Sequence, residues 1–289
     1  MNDSILVLAN FADAAEATAR CAGALGAPLH LRLVMLHLDA YPVLLEPELV
    51  AAAAEQTQRN EAETMAGLHA LARRLPGRPE VLEAAGIMAD AVAEAMRRQH
   101  PLLLAMGLPH EQSLLERLLL DQVLPVLRAT HRPLLLVPHD APSAGPPRRV
   151  LVAVDGEPFA LNAASRALAP LLAAWPATYT VAYVRAQPEQ PDQASGRLAL
   201  ADVRASALLP AAALLALYEA ADAHPATGVL QALADTQADL LVLIARPRSF
   251  LGRLFHRSVT ARVLRHCRVP VLLVPVEGPE LPAWMPAMS

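Results

Sequence analysis

The sequence contains no lysine, only two cysteines and very few aromatic residues. Its 24 basic residues are all arginine and stand against 28 acidic residues, so the net charge is −4. Proteins that bind nucleic acid usually carry a basic surplus that neutralises phosphates, and this balance argues against such a partner. Cys21 and Cys267 provide neither a disulfide framework nor a zinc-ligand spacing, which favours a reducing compartment. The histidines are scattered without ligand spacing, so no metal site is predicted.

Long apolar segments are also missing. The longest run, residues 207–218, contains Pro210 and is too short to cross a bilayer. The first residues carry neither the basic flank nor the apolar core of a signal peptide. We therefore expect a cytoplasmic protein with no membrane partner.

What the chain does contain is apolar sequence, 54% hydrophobic residues against 18% charged ones. Such a composition requires extensive buried surface, as in sheets covered on both faces. Short apolar runs alternate with amphipathic helical patterns, which is typical of βαβ units and a parallel sheet. The predicted strands are residues 5–9, 29–38, 80–85, 102–106 and 134–137, then 150–154, 179–184, 215–221, 240–244 and 271–274. The predicted helices are residues 13–25, 46–75, 89–99, 113–130, 159–173, 198–208, 226–237 and 259–265.

A stretch rich in proline, glycine and serine divides the chain in two. Residues 139–149 are the predicted linker. They separate a first domain, residues 1–138, from a second domain, residues 150–276. The remaining residues, 277–289, hold three prolines and predict an irregular tail.

The two halves end in matching segments. The first half closes with VLPVLR and then PLLLVP, ending at Arg128 and Pro138; the second closes with TARVLR and then PVLLVP, ending at Arg265 and Pro275. Both pairs are 137 residues apart (128 to 265, 138 to 275). This pattern indicates a tandem duplication.

Each half resembles the universal stress protein domain. The resemblance is clearest in the second half, where VLVAVDG at residues 150–156 matches the first strand with its closing aspartate, and DLLVL at residues 239–243 matches the fourth. It implies two tandem Rossmann-like domains of the adenine nucleotide alpha hydrolase-like type, each a five-stranded parallel sheet of order 3-2-1-4-5 with helices on both faces. In members that bind ATP, that aspartate contacts the adenosine, and a G-x-x-G-x9-G-[ST] motif holds the ribose and phosphates at the carboxyl ends of the strands.

The second half keeps part of that motif. Asp155 and Ser258 are present, but Ile244 and Pro247 replace the first two glycines, so the chain is similar to the variant members that lack the glycine motif. Several arginines nearby could hold a phosphate in place of the lost amides, or form a solvated helix start. The candidate cofactor-binding residues are Asp155, Val184, Arg246, Arg248, Arg257 and Ser258. ATP or AMP is the implied cofactor, and only in this half.

The first half departs further from the family pattern. Its first strand ends in Asn10, and Gly107 fits the motif only with a one-residue shift. Glu111 falls at the second glycine, and Asp121-Gln122 replace the Gly-Ser pair. Because acidic side chains repel phosphate oxygens, ordinary ATP binding is not expected here.

Three functions remain open. The first is a non-enzymatic regulator that acts through protein contacts or pairing with partners that the sequence does not identify. The second is an ATP- or AMP-binding regulator with binding confined to the second half. The third is a site for an apolar small ligand, since Ile244, Pro247 and Phe250 make the former phosphate loop apolar. A hydrolase triad of Asp155, His256 and Ser258 is disfavoured because the serine lacks a nucleophile elbow.

The last strand of each predicted sheet would be an edge with unpaired backbone groups. Residues 134–137 and 271–274 are short and hydrophobic. We expect them to pair antiparallel and form an intramolecular pseudo-dimer, with a further homodimer also open.

Overall fold

The structure of the protein is a computed structural model. The structure describes residues 4–9, 12–39, 47–142, 145–185, 193–222, 224–246 and 259–277.

These residues form ten strands. In the first half they are β1 (Ser4–Leu8), β2 (Arg32–Asp39), β3 (Glu80–Ala85), β4 (Leu103–Leu108) and β5 (Leu134–Pro138). In the second half they are β6 (Arg149–Val154), β7 (Thr178–Arg185), β8 (Leu215–Ala221), β9 (Leu240–Ala245) and β10 (Val271–Pro275). The ten strands make one continuous sheet of order β3-β2-β1-β4-β5-β10-β9-β6-β7-β8.

Within each half, helices lie between successive strands. The first half holds α1 (Ala12–Gly26), α2 (Pro47–Arg74), α3 (Met88–Gln99), α4 (Gln112–Leu118) and α5 (Leu124–Thr130). The second half holds α6 (Ala163–Arg166), α7 (Ala169–Ala174), α8 (Gln193–Ala205), α9 (Pro225–Thr236) and α10 (Val259–His266). Within each half every strand pairing is parallel, and the order is 3-2-1-4-5. The predicted fold class is therefore confirmed, with the refinement that the two five-stranded sheets merge into one.

The merger is the antiparallel pairing of β5 with β10. Val271 lies opposite Leu136, Leu272 opposite Leu135 and Leu273 opposite Leu134. This is the edge pairing that we expected from the sequence, and it gives the backbone groups of both strands a partner.

Two apolar cores lie on the two faces of the sheet. Because side chains alternate along a strand, Leu136 and Leu273 enter one core while Leu135 and Leu272 enter the other. Each core contains residues of both halves, so the halves share buried surface as well as strands.

Polar contacts also join the halves. The indole Nε1 of Trp175 donates to the Leu25 carbonyl at 2.9 Å, in a buried position. The Asn162 amide donates to the His131 carbonyl at 2.8 Å, while its Oδ1 accepts from Ser165 N and caps α6.

Two predicted helices are interrupted. Residues 113–130 form α4 and α5 with a π-helical turn, Leu119–Val123, between them. Residues 159–173 form only the short α6 and α7, because the chain first makes a bridge at Leu161 and then starts a helix at the Asn162 cap. The second strand begins at Arg32 rather than at residue 29, since residues 27–29 form a 3-10 turn.

Candidate functional site

The candidate site lies at the carboxyl ends of two neighbouring strands. Asp155 follows β6, and Arg246 follows β9. Because β6 and β9 pair in parallel at the point where the strand order of the second half reverses, both side chains reach the same edge of the sheet. This is the position where open α/β sheets bind ligands.

The Arg246 guanidinium clasps the loop that follows β6. Its Nε donates to Asp155 Oδ2 and its Nη2 to Asp155 Oδ1, both at 2.7 Å, which makes the pair bidentate. Its Nη2 also donates to the Glu157 carbonyl, and Nη1 donates to the Pro158 carbonyl at 3.1 Å. We call this set of contacts the Arg246 clasp. The guanidinium thus donates four hydrogen bonds within the chain, and it has five N–H donors in all.

The clasp is partly shielded from water. The Arg246 side chain is 12% exposed, whereas that of Asp155 is 49% exposed. Its hydrogen bonds with Asp155 and the nearby negative charges of Asp155, Glu157 and Asp202 raise the pKa of Arg246, and burial opposes them only in part. The guanidinium is therefore charged at every physiological pH.

The loop beneath the clasp is tightly held. Asp155 Oδ1 accepts a hydrogen bond from Glu157 N at 3.1 Å. Gly156 has a φ of +78°, and a Cβ at this position would lie 2.6 Å from Cε2 of the Tyr183 ring. Only glycine meets both requirements, the left-handed backbone and the close approach of the ring. The loop thus presents Asp155 to Arg246 from a fixed backbone.

Val184 lies on the other side of β7 from the Tyr183 ring. It is buried, and a Cβ on Gly228 of α9 would lie 2.5 Å from Val184 Cγ1. The structure therefore brings Asp155 and Arg246 together and places Val184 against a helix. Arg248, Arg257 and Ser258 lie outside the described residues, as do Pro247, Phe250 and His256, and their roles remain predictions.

The corresponding region of the first half is occupied by packing contacts. A Cβ on Gly107 would lie 2.5 Å from Ala14 Cβ and 2.7 Å from Thr18 Oγ1, so this glycine lets α1 lie close against β4. Asp121 and Gln122 lie in the π-helical turn between α4 and α5. Gly107 thus has a structural role that the motif comparison did not reveal.

Sequence reasoning also missed the partners of Arg246. Glu157 and Pro158 contribute backbone carbonyls. Every residue has a carbonyl, so the residue type does not show which of them accepts a hydrogen bond. Tyr183 could have been noticed as an aromatic residue near the end of a strand beside Asp155-Gly156. Within the described ranges, no group of three or more histidine, cysteine, aspartate or glutamate side chains is placed to hold a metal ion. No helix among these residues is long and apolar enough to span a bilayer.

The fold and the site together define a class of protein. Its members are tandem α/β proteins with two doubly wound halves, and here the second half has a candidate site at the carboxyl ends of its strands. Residues 147–275 match the model of the Universal stress protein family. The second half of the chain therefore carries a universal stress protein domain, and the first half lies outside the matched residues.

Solved structures resemble the whole chain. A universal stress protein from Archaeoglobus fulgidus DSM 4304 is 14% identical with a TM-score of 0.59, and the match covers 95% of this chain and 97% of that one. A functionally unknown protein from Pseudomonas aeruginosa PAO1 is 17% identical with a TM-score of 0.53, covering 95% and 93%. At these identities the likeness establishes the fold alone. No curated protein sequence matches the chain.

Proposed function

We propose that this chain is a non-enzymatic regulatory protein of the stress-response type, which acts mainly through protein contacts or pairing. In this proposal the nucleotide site of the second half is degenerate, because Arg246 of the same chain already binds its aspartate. The observation that carries the proposal is the Arg246 clasp. Asp155, the residue that would contact an adenosine, already receives two hydrogen bonds at 2.7 Å from within the chain.

The charge around the clasp supports this proposal. Arg246 is surrounded by Asp155, Glu157 and the more distant Asp202. Among the described residues of the site, carboxylates outnumber the guanidinium, and its charge is directed at one of them. A phosphate would gain little attraction from a guanidinium already engaged in this way.

One observation favours the alternative, an ATP- or AMP-binding regulator with binding confined to the second half. The Asp155 carboxylate is 49% exposed and lies at the strand-order reversal, so a ligand could reach it. Such a ligand must displace Arg246 from Asp155, and the lost hydrogen bonds would lower its affinity.

Isothermal titration of ATP and AMP distinguishes the two functions. The proposal predicts no measurable binding at 1 mM ligand by the wild type. Micromolar binding that Asp155→Ala abolishes, and that Asp121→Ala leaves intact, would contradict it. Asp121 is a matched control because it is an exposed aspartate in the other half.

We also infer that the protein works in the cytoplasm. Both cysteines are buried free thiols, as expected in a reducing compartment. Expression with compartment-specific fractionation tests this, and recovery of the chain outside the cytoplasmic fraction would contradict it.

A further inference from the structure

A groove of about 900 Å³ opens at the amino ends of β2 and β3 in the first half. Its walls come from α1, the end of α2 and the starts of β2 and β3. The Arg246 clasp lies at carboxyl strand ends in the second half, whereas this groove lies at amino strand ends. None of the residues of the Arg246 clasp lines the groove, so the two features are separate sites.

The groove concentrates positive charge. Four arginines line it, Arg20, Arg32, Arg74 and Arg78, and His30 lies with them. Among the described lining residues, the carboxylates are those of Glu16 and Glu80. The chain as a whole carries a net charge of −4, so the groove has the opposite sign to the protein. This local excess attracts anions.

Part of the groove already holds a carboxylate. Arg20 Nη2 lies 2.6 Å from Glu16 Oε1, and Arg74 Nη2 lies 3.5 Å from Glu16 Oε2. One carboxylate at the groove wall is thus shared by guanidiniums from α1 and α2. Arg32 and Arg78, by contrast, have no ion-pair partner among the residues that the structure describes.

Helix stabilisation accounts for only some of these arginines. Arg74 lies in the last turn of α2, where a cation complements the helix dipole. Arg32 instead begins β2, and Arg78 lies in the turn before β3 with a left-handed φ of +45°. The helix dipole therefore does not explain an arginine at either of these two positions.

The surfaces between the charges are apolar. Leu33 of β2 and Leu31, just before it, are half-buried in the groove wall. Leu71 and Leu75, at the end of α2, are buried and form another wall. A ligand that fits both surfaces carries an anionic head and an apolar body. We propose that this arginine groove binds a small anionic amphiphile, a carboxylate or phosphate monoester with an apolar chain or ring.

The test is a titration of the full chain with octanoate, octyl phosphate and octan-1-ol, followed by calorimetry and NMR. The variant Arg32→Ala/Arg78→Ala removes the two guanidiniums that have no ion-pair partner in the described part of the chain. Its control, Arg117→Ala/Arg204→Ala, removes two exposed arginines outside the groove and so changes the net charge equally. Ala27→Trp, at an exposed position on the groove wall, fills space without changing the charge.

We expect both anions to bind the wild type and octan-1-ol to bind at least tenfold more weakly. Arg32→Ala/Arg78→Ala should weaken anion binding about tenfold or more, since each guanidinium offers charge-assisted hydrogen bonds. Ala27→Trp should also weaken it, while the control stays within twofold of the wild type. The stronger of the two anions identifies the preferred headgroup.

The proposal would be overturned if octanoate or octyl phosphate failed to bind the wild type. It would also be overturned if the control variant lost as much anion affinity as Arg32→Ala/Arg78→Ala. Binding that Ala27→Trp leaves unchanged would overturn it as well. Asp155→Ala should have no effect on octanoate or octyl phosphate, so this result is independent of the nucleotide titration.

Discussion

Gly107 offers a sharp test of how the first half is built. Replacement by alanine adds one methyl group, which would lie 2.5 Å from Ala14 Cβ and 2.7 Å from Thr18 Oγ1. Ordinary contacts begin at 3.4 Å, so α1 must move by most of an ångström. Thr18 cannot easily turn away, because its hydroxyl donates to the Ala14 carbonyl at 2.6 Å in a buried position. Overpacking of this kind costs about 1–3 kcal/mol.

The same chemical change at Gly67 is the matched control. Gly67 lies within α2, and a Cβ there would meet nothing within 4 Å. Because alanine loses less conformational entropy than glycine in a helix, Gly67→Ala should stabilise the protein by about 0.5–1 kcal/mol. Urea unfolding monitored by circular dichroism measures both variants.

The two substitutions are thus expected to act with opposite signs. Gly107→Ala within about 0.5 kcal/mol of the wild type would refute the close packing of α1 on β4. A phosphate-binding role for Gly107 makes a different prediction, namely unchanged stability with reduced nucleotide affinity.

Other predictions concern the cysteines and the contact between the halves. Burial raises the pKa of Cys21 to about 12 and that of Cys267 to about 11, so neither thiol should react with Ellman's reagent at pH 8 unless the protein is unfolded. Both pKa values lie above the ordinary thiol value of 9.0. The two neutral thiols should therefore contribute fully to stability below pH 9, and this contribution should be lost as the pH rises from 9 towards 12. Urea midpoints that stay constant over that range would contradict this. Trp175→Phe removes the donor to the Leu25 carbonyl and should cost about 1–2 kcal/mol in urea unfolding, whereas an unchanged midpoint would mean that the contact between the halves contributes little.

Much of the fold could be predicted from the sequence, because its strands are apolar runs bounded by helical patterns. The repeat at Arg128 and Arg265 indicated two equivalent halves, and hydrophobic edge strands indicated how they meet. The boundaries of the residue 159–173 region were wrong because Asn162, a helix cap, was counted as helix interior. Hydrophobic periodicity identifies a buried face, but it does not detect a cap within an apolar segment.

The candidate site was only partly predictable. Strand order alone places Asp155 beside Arg246, since the strands that precede them are neighbours. The sequence alone predicts that each of them contacts a nucleotide separately. The structure shows that they bind each other, and that Arg246 also reaches backbone carbonyls of the same loop. Charge complementarity between two residues 91 positions apart becomes apparent only once the loop path is known.

The central claim is that Arg246 satisfies Asp155 in place of a ligand, and a double-mutant cycle tests it most directly. The cycle compares the free energies of unfolding of the wild type, Asp155→Ala, Arg246→Ala and the double variant. The bidentate geometry favours a coupling energy above that of an ordinary surface pair, while the half-exposed carboxylate limits it. We predict a coupling of about 1 kcal/mol, and a coupling below about 0.3 kcal/mol would contradict the claim.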